Sequence, residues 1–202
     1  IASTAKAYAR AYLGDGPLAS DALTVNADLG SDGIRPFLEV GRKNGRGIFA
    51  LVKTSNPSSG ELQGKKLSDG LKLHEHMGSL VESWGSDNIG ECGYSDVGAV
   101  VGATYPAELA ELRQKMPRTW FLVPGFGSQG GTAEDVRHGF DERGLGAIVN
   151  SSRGIIFAYQ RPEYEKYRAS GWQRSVEEAT LEMIGQLREA TPAGRLGSEP
   201  AS

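Results

Sequence analysis

Short apolar runs alternate with longer segments of helical periodicity along most of this 202-residue sequence, and that alternation restricts the fold more than any other feature. GIFALVKTS (47–55) is apolar almost to its end, as expected of a strand covered on both faces. Before it lie DALTVN (21–26), a short strand, and IRPFLEVGRKNG (34–45), a helix with Pro36 in its first turn. A longer helical segment, KLSDGLKLHEHMGSLVESW, runs from 66 to 84. The pattern then repeats as VGAVVGA (97–103) with PAELAELRQKM, TWFLV with TAEDVRHGFDERG, and finally GAIVN (146–150). Strand, helix, strand in this order joins parallel neighbours through right-handed crossovers. The sequence therefore predicts an α/β fold with five parallel strands, either an open doubly wound sheet or part of a (β/α)8 barrel. Both architectures place ligands at the carboxyl ends of the strands, and polar or glycine-bearing stretches end four of them here: TSNPSS, GATYP, PGFGSQGG and NSSRG.

The chain opens with IASTAKAYARAYLG, a helix that Ser3 or Thr4 can cap and that runs through Ala5, Ala9 and Leu13 to a stop at Gly14. It starts at the first turn of that helix, without an initiator Met or a preceding strand, so the expectation is that a segment feeding the helix has been lost. At the other end, a Pro/Gly/Ser/Ala-rich stretch predicts a disordered tail over 191–202, which leaves 1–190 as the folded portion. A hydrophobic content of 39% suffices for a core. A net charge of -3 gives no electrostatic footprint for nucleic acid or an anionic membrane. The expected ligand is a small molecule, and any basic site has to be local. Cys92 is the one cysteine; it excludes an intramolecular disulfide and suits a reducing cytoplasm. No apolar run approaches the roughly 20 residues of a membrane span.

One strand-to-helix junction stands out. PGFGSQGG (124–131) places four glycines and one glutamine between TWFLV and TAEDV. Glycine lets backbone N–H groups approach a ligand, because no Cβ intervenes and positive φ costs little. A tight turn explains the same glycines, so the next loop has to decide. That loop is NSSRG, and it puts Arg153 just past the last strand. A guanidinium can grip phosphate bidentately. Two successive late loops, one glycine-rich and one ending in Arg, match the phosphate site that barrels build after their last strands. HEH at 74–76 lacks metal-ligand spacing and reads as an exposed helix face, so no metal site is expected.

PGFGSQGG, NSSRGI, TSNP at a strand end and the opening IASTAKAYA together resemble the orotidine 5'-phosphate decarboxylases in their longer bacterial subgroup, in the right order from Ile1 to about Tyr159. The resemblance implies a (β/α)8 barrel, of which this chain holds strands four to eight, and a cofactor-independent lyase of pyrimidine biosynthesis that converts orotidine 5'-phosphate to UMP and CO2. It implies that Gln129 and Arg153 hold the 5'-phosphate, with backbone donors from the Gly130 and Ser152 region. Ser55 would contact the pyrimidine, with Pro124 beside it. The family is homodimeric, and Ile1 and Thr4, which match its I-x-x-T segment, would complete a partner's site.

The family's reacting groups, a Lys and two Asp in D-x-K-x-x-D directly before I-x-x-T, are not found among the 202 residues. Lys6 lies inside the first helix and Lys53 two residues before its strand end, so neither replaces them. The chain alone is therefore expected to lack decarboxylase activity. A phosphate-binding barrel module that never carried the catalytic Lys, acting as an interaction protein, is the alternative reading.

Overall fold

The computed structural model describes residues 1–196, except Leu18 and Ser128. Helix α1 (Ala2–Leu13) leads through β1 (Ala22–Val25) and α2 (Ser31–Lys43) to β2 (Gly47–Lys53). Then follow α3 (Leu73–Gly85), β3 (Val97–Val101), α4 (Pro106–Lys115), β4 (Phe121–Val123), α5 (Ala133–Val136), β5 (Ala147–Val149), α6 (Ser152–Ile156) and α7 (Trp172–Ala190). The five strands form one sheet in the order β1-β2-β3-β4-β5, and every pairing is parallel. The order never reverses, so the sheet lacks the switch point of a doubly wound fold. Right-handed crossovers that always advance in one direction put their helices on one face.

That face holds the core. Ile48, Ala50 and Val52 of β2, Val97, Ala99 and Val101 of β3, and Phe121 and Val123 of β4 point toward it. They pack against Ile34 and Leu38 of α2, Val81 of α3, and Leu109 and Leu112 of α4. Each fully buried Val, Leu, Ile or Phe among them contributes about 1.5–3 kcal/mol of transfer free energy. The opposite face carries Phe49, Leu51 and Leu122, which are half-buried, and Ile148, which is 47% exposed. Phe49 lies across Gly98, where a Cβ would stand 2.4 Å from its ring.

The element boundaries differ from expectation in instructive ways. Ile1 occupies the N-cap of α1 without a side-chain cap, so Ser3 and Thr4 sit inside the first turn. Gly30, at φ 66, starts α2 three residues early and leaves Pro36 in the second turn. Helix α3 begins at Leu73 rather than 66, because Ser68-Asp69-Gly70 forms a turn: Gly70 has φ 87, and the Asp69 carboxylate accepts the Leu71 N–H at 3.0 Å. The segment read as a helix over 132–144 contains only α5 and a 3-10 turn, Arg137–Gly139. Its start is as expected, since Thr132 and Asp135 cap each other's backbone N–H groups. The long helix α7 has no counterpart in the sequence reading. At the C-terminal end, Thr191 caps a 3-10 turn, Pro192–Arg195, so the expected tail takes defined structure as far as 196; residues 197–202 lie outside the described residues. His74 is buried, not on an exposed face, and its Nδ1 lies 2.9 Å from the Gln63 carbonyl oxygen.

Candidate functional site

Four loops meet at the carboxyl ends of β2 to β5 and are laced by backbone hydrogen bonds. Gly102 donates to the Lys53 carbonyl at 2.7 Å, Ala103 to Pro124 at 2.8 Å, and Asn150 to Val123 at 3.3 Å. These bonds extend the sheet register past the strand ends and fix the loops relative to one another. The four loops are those that the sequence singled out.

Ser55 is half-buried, two residues beyond the end of β2. The Thr104 hydroxyl donates to its carbonyl at 3.2 Å. Gly102 and Gly125 close around it, and a Cβ on Gly102 would come within 2.8 Å of the Ser55 backbone. Pro124 enters the glycine-rich loop beside Gly125, so Ser55 and the start of that loop are brought together. Gln63 closes the Ser55 loop from its far end, accepting the Thr54 N–H on Oε1 at 2.9 Å.

The glycine-rich loop owes its path to Gly125, Gly127 and Gly130, at φ 99, 70 and 96, a region that side chains with a Cβ enter at a cost of about 1–2 kcal/mol. The Gly130 amide, expected to face a ligand, donates to the Gly127 carbonyl at 2.8 Å, and Gly127 donates to Gly131 at 2.8 Å. Gln129 is exposed on the turn these bonds define. Ser151, which the sequence reading passed over in favour of Ser152, is the residue that ties the two late loops: its hydroxyl donates to the Phe126 carbonyl at 3.0 Å.

Ser152 and Arg153 open α6, both exposed. The first bond of that short helix runs from Ile155 to the Ser151 carbonyl, so the Ser152, Arg153 and Gly154 amides precede it. Among the described residues the Arg153 guanidinium has no ion-pair partner. It borders a cleft of about 630 Å³ whose walls include Gly127, Ser151, Arg161, Tyr164 and Glu182. Burial, together with a hydrogen bond to the Glu182 carboxylate, pushes the Tyr164 hydroxyl up to about 12, so it is a neutral donor at physiological pH. Sequence reasoning missed this wall because it belongs to the unforeseen α7 and to the 3-10 segment, Pro162–Ser170, before it.

Ile1 and Thr4 are exposed and stand apart from this cleft. Helix α1 packs on α2 beside β1, the edge strand opposite β5. Among the described residues no group of His, Cys, Asp and Glu is arranged to hold a metal ion, and no helix is long and apolar enough to cross a membrane.

Comparison with known proteins adds independent findings. A family model described as "Orotidine 5'-phosphate decarboxylase / HUMPS family" matches residues 1–167. The protein named orotidine 5'-phosphate decarboxylase from Rhodopirellula baltica is 50% identical over 194 residues, covering 93% of this chain and 64% of that protein. The protein of the same name from Caldicellulosiruptor bescii is 45% identical over 183 residues, covering 87% of this chain and 60% of its own length. The chain thus spans less than two thirds of these relatives. Among solved structures, Leishmania donovani OMP decarboxylase superposes with a TM-score of 0.68 at 32% identity, covering 93% of this chain and 64% of that one.

Proposed function

Because the chain belongs to the orotidine 5'-phosphate decarboxylase / HUMPS family, we propose that its strand ends form the substrate-holding part of a site for orotidine 5'-phosphate, and that its five strands are a sector of a (β/α)8 barrel. Sequential strand order, with helices on one face and half-exposed apolar side chains on the other, supports the barrel sector. In this reading Arg153 and Gln129 hold the 5'-phosphate, aided by the Ser152 backbone and the turn at Gly130. Ser55 meets the pyrimidine with Pro124 beside it. Ile1 and Thr4, remote from the cleft, serve the neighbouring site of a homodimer. A free, exposed Cys92 fits a cytoplasmic setting.

The observation that carries this reading is Arg153. An exposed guanidinium without an ion pair among the described residues borders one cleft with Gly127 and Ser151, the residues that shape the glycine-rich loop. Such a group gains charge-assisted hydrogen bonds to a phosphate worth about 1.5–3 kcal/mol each. Phosphate contacts alone bind ground state and transition state alike. Loss of CO2 from the pyrimidine leaves a carbanion at C6, which needs a proton donor and a carboxylate opposed to the departing one. The D-x-K-x-x-D residues that supply them in the family do not occur in the 202 residues, so the reading assigns this chain binding rather than turnover.

Calorimetry of the chain with UMP and with uridine tests the assignment. UMP is expected to bind at least about 100-fold more tightly, the contribution of two charge-assisted hydrogen bonds. Equal affinities would end the phosphate-site reading. Tight binding of inorganic phosphate with no gain from the nucleoside would favour the phosphate-binding module instead.

A further inference from the structure

Lys53 ends β2 as a buried cation, 2% exposed. A register shift between Leu51 and Lys53 pairs it with Val101, which points into the helix-facing core. Its side chain therefore leaves the sheet on the side opposite the barrel interior. Burying an ammonium costs several kcal/mol unless the surroundings compensate, and here they do. Nζ donates to Ser59 Oγ at 2.8 Å, lies 3.7 Å from the centre of the Tyr105 ring, and stands 3.5 Å from Glu108 Oε2. That carboxylate oxygen is solvent-inaccessible and accepts no hydrogen bond from the described residues, so Lys53 is its nearest compensation. The other oxygen, Oε1, accepts Lys72 Nζ at 3.2 Å.

The partners of Lys53 belong to the two segments that enclose Ser55. Ser59 lies in the 3-10 turn Pro57–Glu61 of the Ser55 loop, while Tyr105 and Glu108 begin α4, directly after the Gly102–Thr104 stretch that grips Ser55. A methionine would fill the same space and hold neither. We propose that Lys53 is a positioning residue for Ser55: it ties the Ser55 loop to the start of α4 and so sets the Ser55 hydroxyl for a pyrimidine base. The inference rests on the reading of Ser55 as the base contact. Because Gln63 closes the loop ends independently, losing Lys53 loosens the middle of the loop without unfolding the sheet.

The test uses Lys53→Met in the 202-residue chain. Without ligand, amide hydrogen exchange is expected to accelerate in peptides covering 54–63 and 103–108 and to stay unchanged in α1 and α2. With ligand, UMP affinity falls about 3- to 5-fold, no more than deleting the Ser55 hydroxyl itself is expected to cost, while ribose 5-phosphate binds within about twofold of the parent. If Lys53→Met fails to fold, Ser59→Ala removes the acceptor of Lys53 together with the long 3.4 Å bond from the Ser59 hydroxyl to Tyr105. It is expected to show the same pattern, which Ser59→Thr reverses, while Tyr105→Phe, which removes only the second bond, is expected to leave exchange and affinity unchanged. Unchanged exchange over 54–63, uniform acceleration along the chain, or equal loss for both ligands overturns the proposal. Ser55→Ala separates the two readings. Normal UMP affinity in that variant overturns the base-contact assignment, whereas a loss there with none in Lys53→Met overturns the role of Lys53 alone.

Discussion

The loops after β2 and β3 border the same end of the sheet as the loops after β4 and β5, yet the two pairs hold their side chains in opposite ways. On the first side the groups that frame Ser55 are tied to one another: Thr104 on the Ser55 carbonyl, Gln63 on Thr54, Lys53 on Ser59. On the second side the backbone is fixed, by Ser151 on Phe126 and by three positive-φ glycines, while Arg153 and Gln129 project into solvent. A base is recognised by a few weak, directional contacts, which need groups already in place. A phosphate brings its own charge and can order a free guanidinium on arrival. The difference in preorganisation follows the difference in what each side is proposed to bind.

The sharpest way to break this contrast is Arg153→Ala, expected to weaken UMP on the order of 100-fold through the loss of two charge-assisted bonds. Uridine affinity should not move. Equal losses for both ligands would take Arg153 out of the phosphate side. Glycine substitutions come next, because the two sides should fail for different reasons. Gly102→Ala drives a Cβ to 2.8 Å from the Ser55 backbone, overpacking expected to cost about 1–3 kcal/mol. Gly127→Ala meets only Ser151 Oγ, at 3.3 Å, but must keep φ 70, at about 1–2 kcal/mol. Thermal melts should show both losses, with Gly60→Ala, which meets nothing within 4 Å, unchanged as the control. A Gly102→Ala protein as stable as the parent would show that the Ser55 side is not tightly packed.

Ser55→Ala is a smaller perturbation, about 0.5–1.5 kcal/mol for a neutral hydrogen bond. UMP should weaken severalfold and ribose 5-phosphate not at all, and a parallel loss for ribose 5-phosphate would contradict the division of labour. The smallest effect is expected at the start of α3, whose Glu75 touches neither proposed ligand-binding loop directly. Hydrogen bonds from the Lys115 ammonium, then from the Lys72 amide, hold the Glu75 carboxyl below its ordinary value of 4.5. A carboxylate lowered by folding stabilises fully above its unfolded pKa, and that contribution is lost as pH falls through the folded value. Stability should therefore decline below about pH 4.5, and Glu75→Gln should flatten the decline. An unchanged acid limb in urea melts would show that Glu75 does not report on it.

Legibility in the sequence followed the range of the interactions. All five strands were readable because an apolar run records its own burial, and Ala22–Val25, Gly47–Lys53 and Val97–Val101 fall inside the expected segments. The four site loops were readable for a related reason: Gly, Pro, Ser and Asn mark the places where a strand must stop. The expected start of α3 at 66 extends too far because Ser68-Asp69-Gly70, a turn signal flanked by Lys and Leu, folds Lys66 back onto Lys72. Ser151 was overlooked beside Ser152, since only the path of the neighbouring loop decides which hydroxyl reaches Phe126.

What the amino-acid order determined by itself is therefore local: the alternation of strand and helix, the glycines that permit φ 99, 70 and 96, and an Arg placed one loop after them. Only the tertiary structure decided that strand order never reverses, that His74 turns inward, and that Lys53 meets Ser59, Tyr105 and Glu108. The physical reason lies in sequence separation. Periodicity and backbone preference act over a few residues and are written into them, whereas a buried cation finds its compensation in groups that only chain folding brings within hydrogen-bond reach.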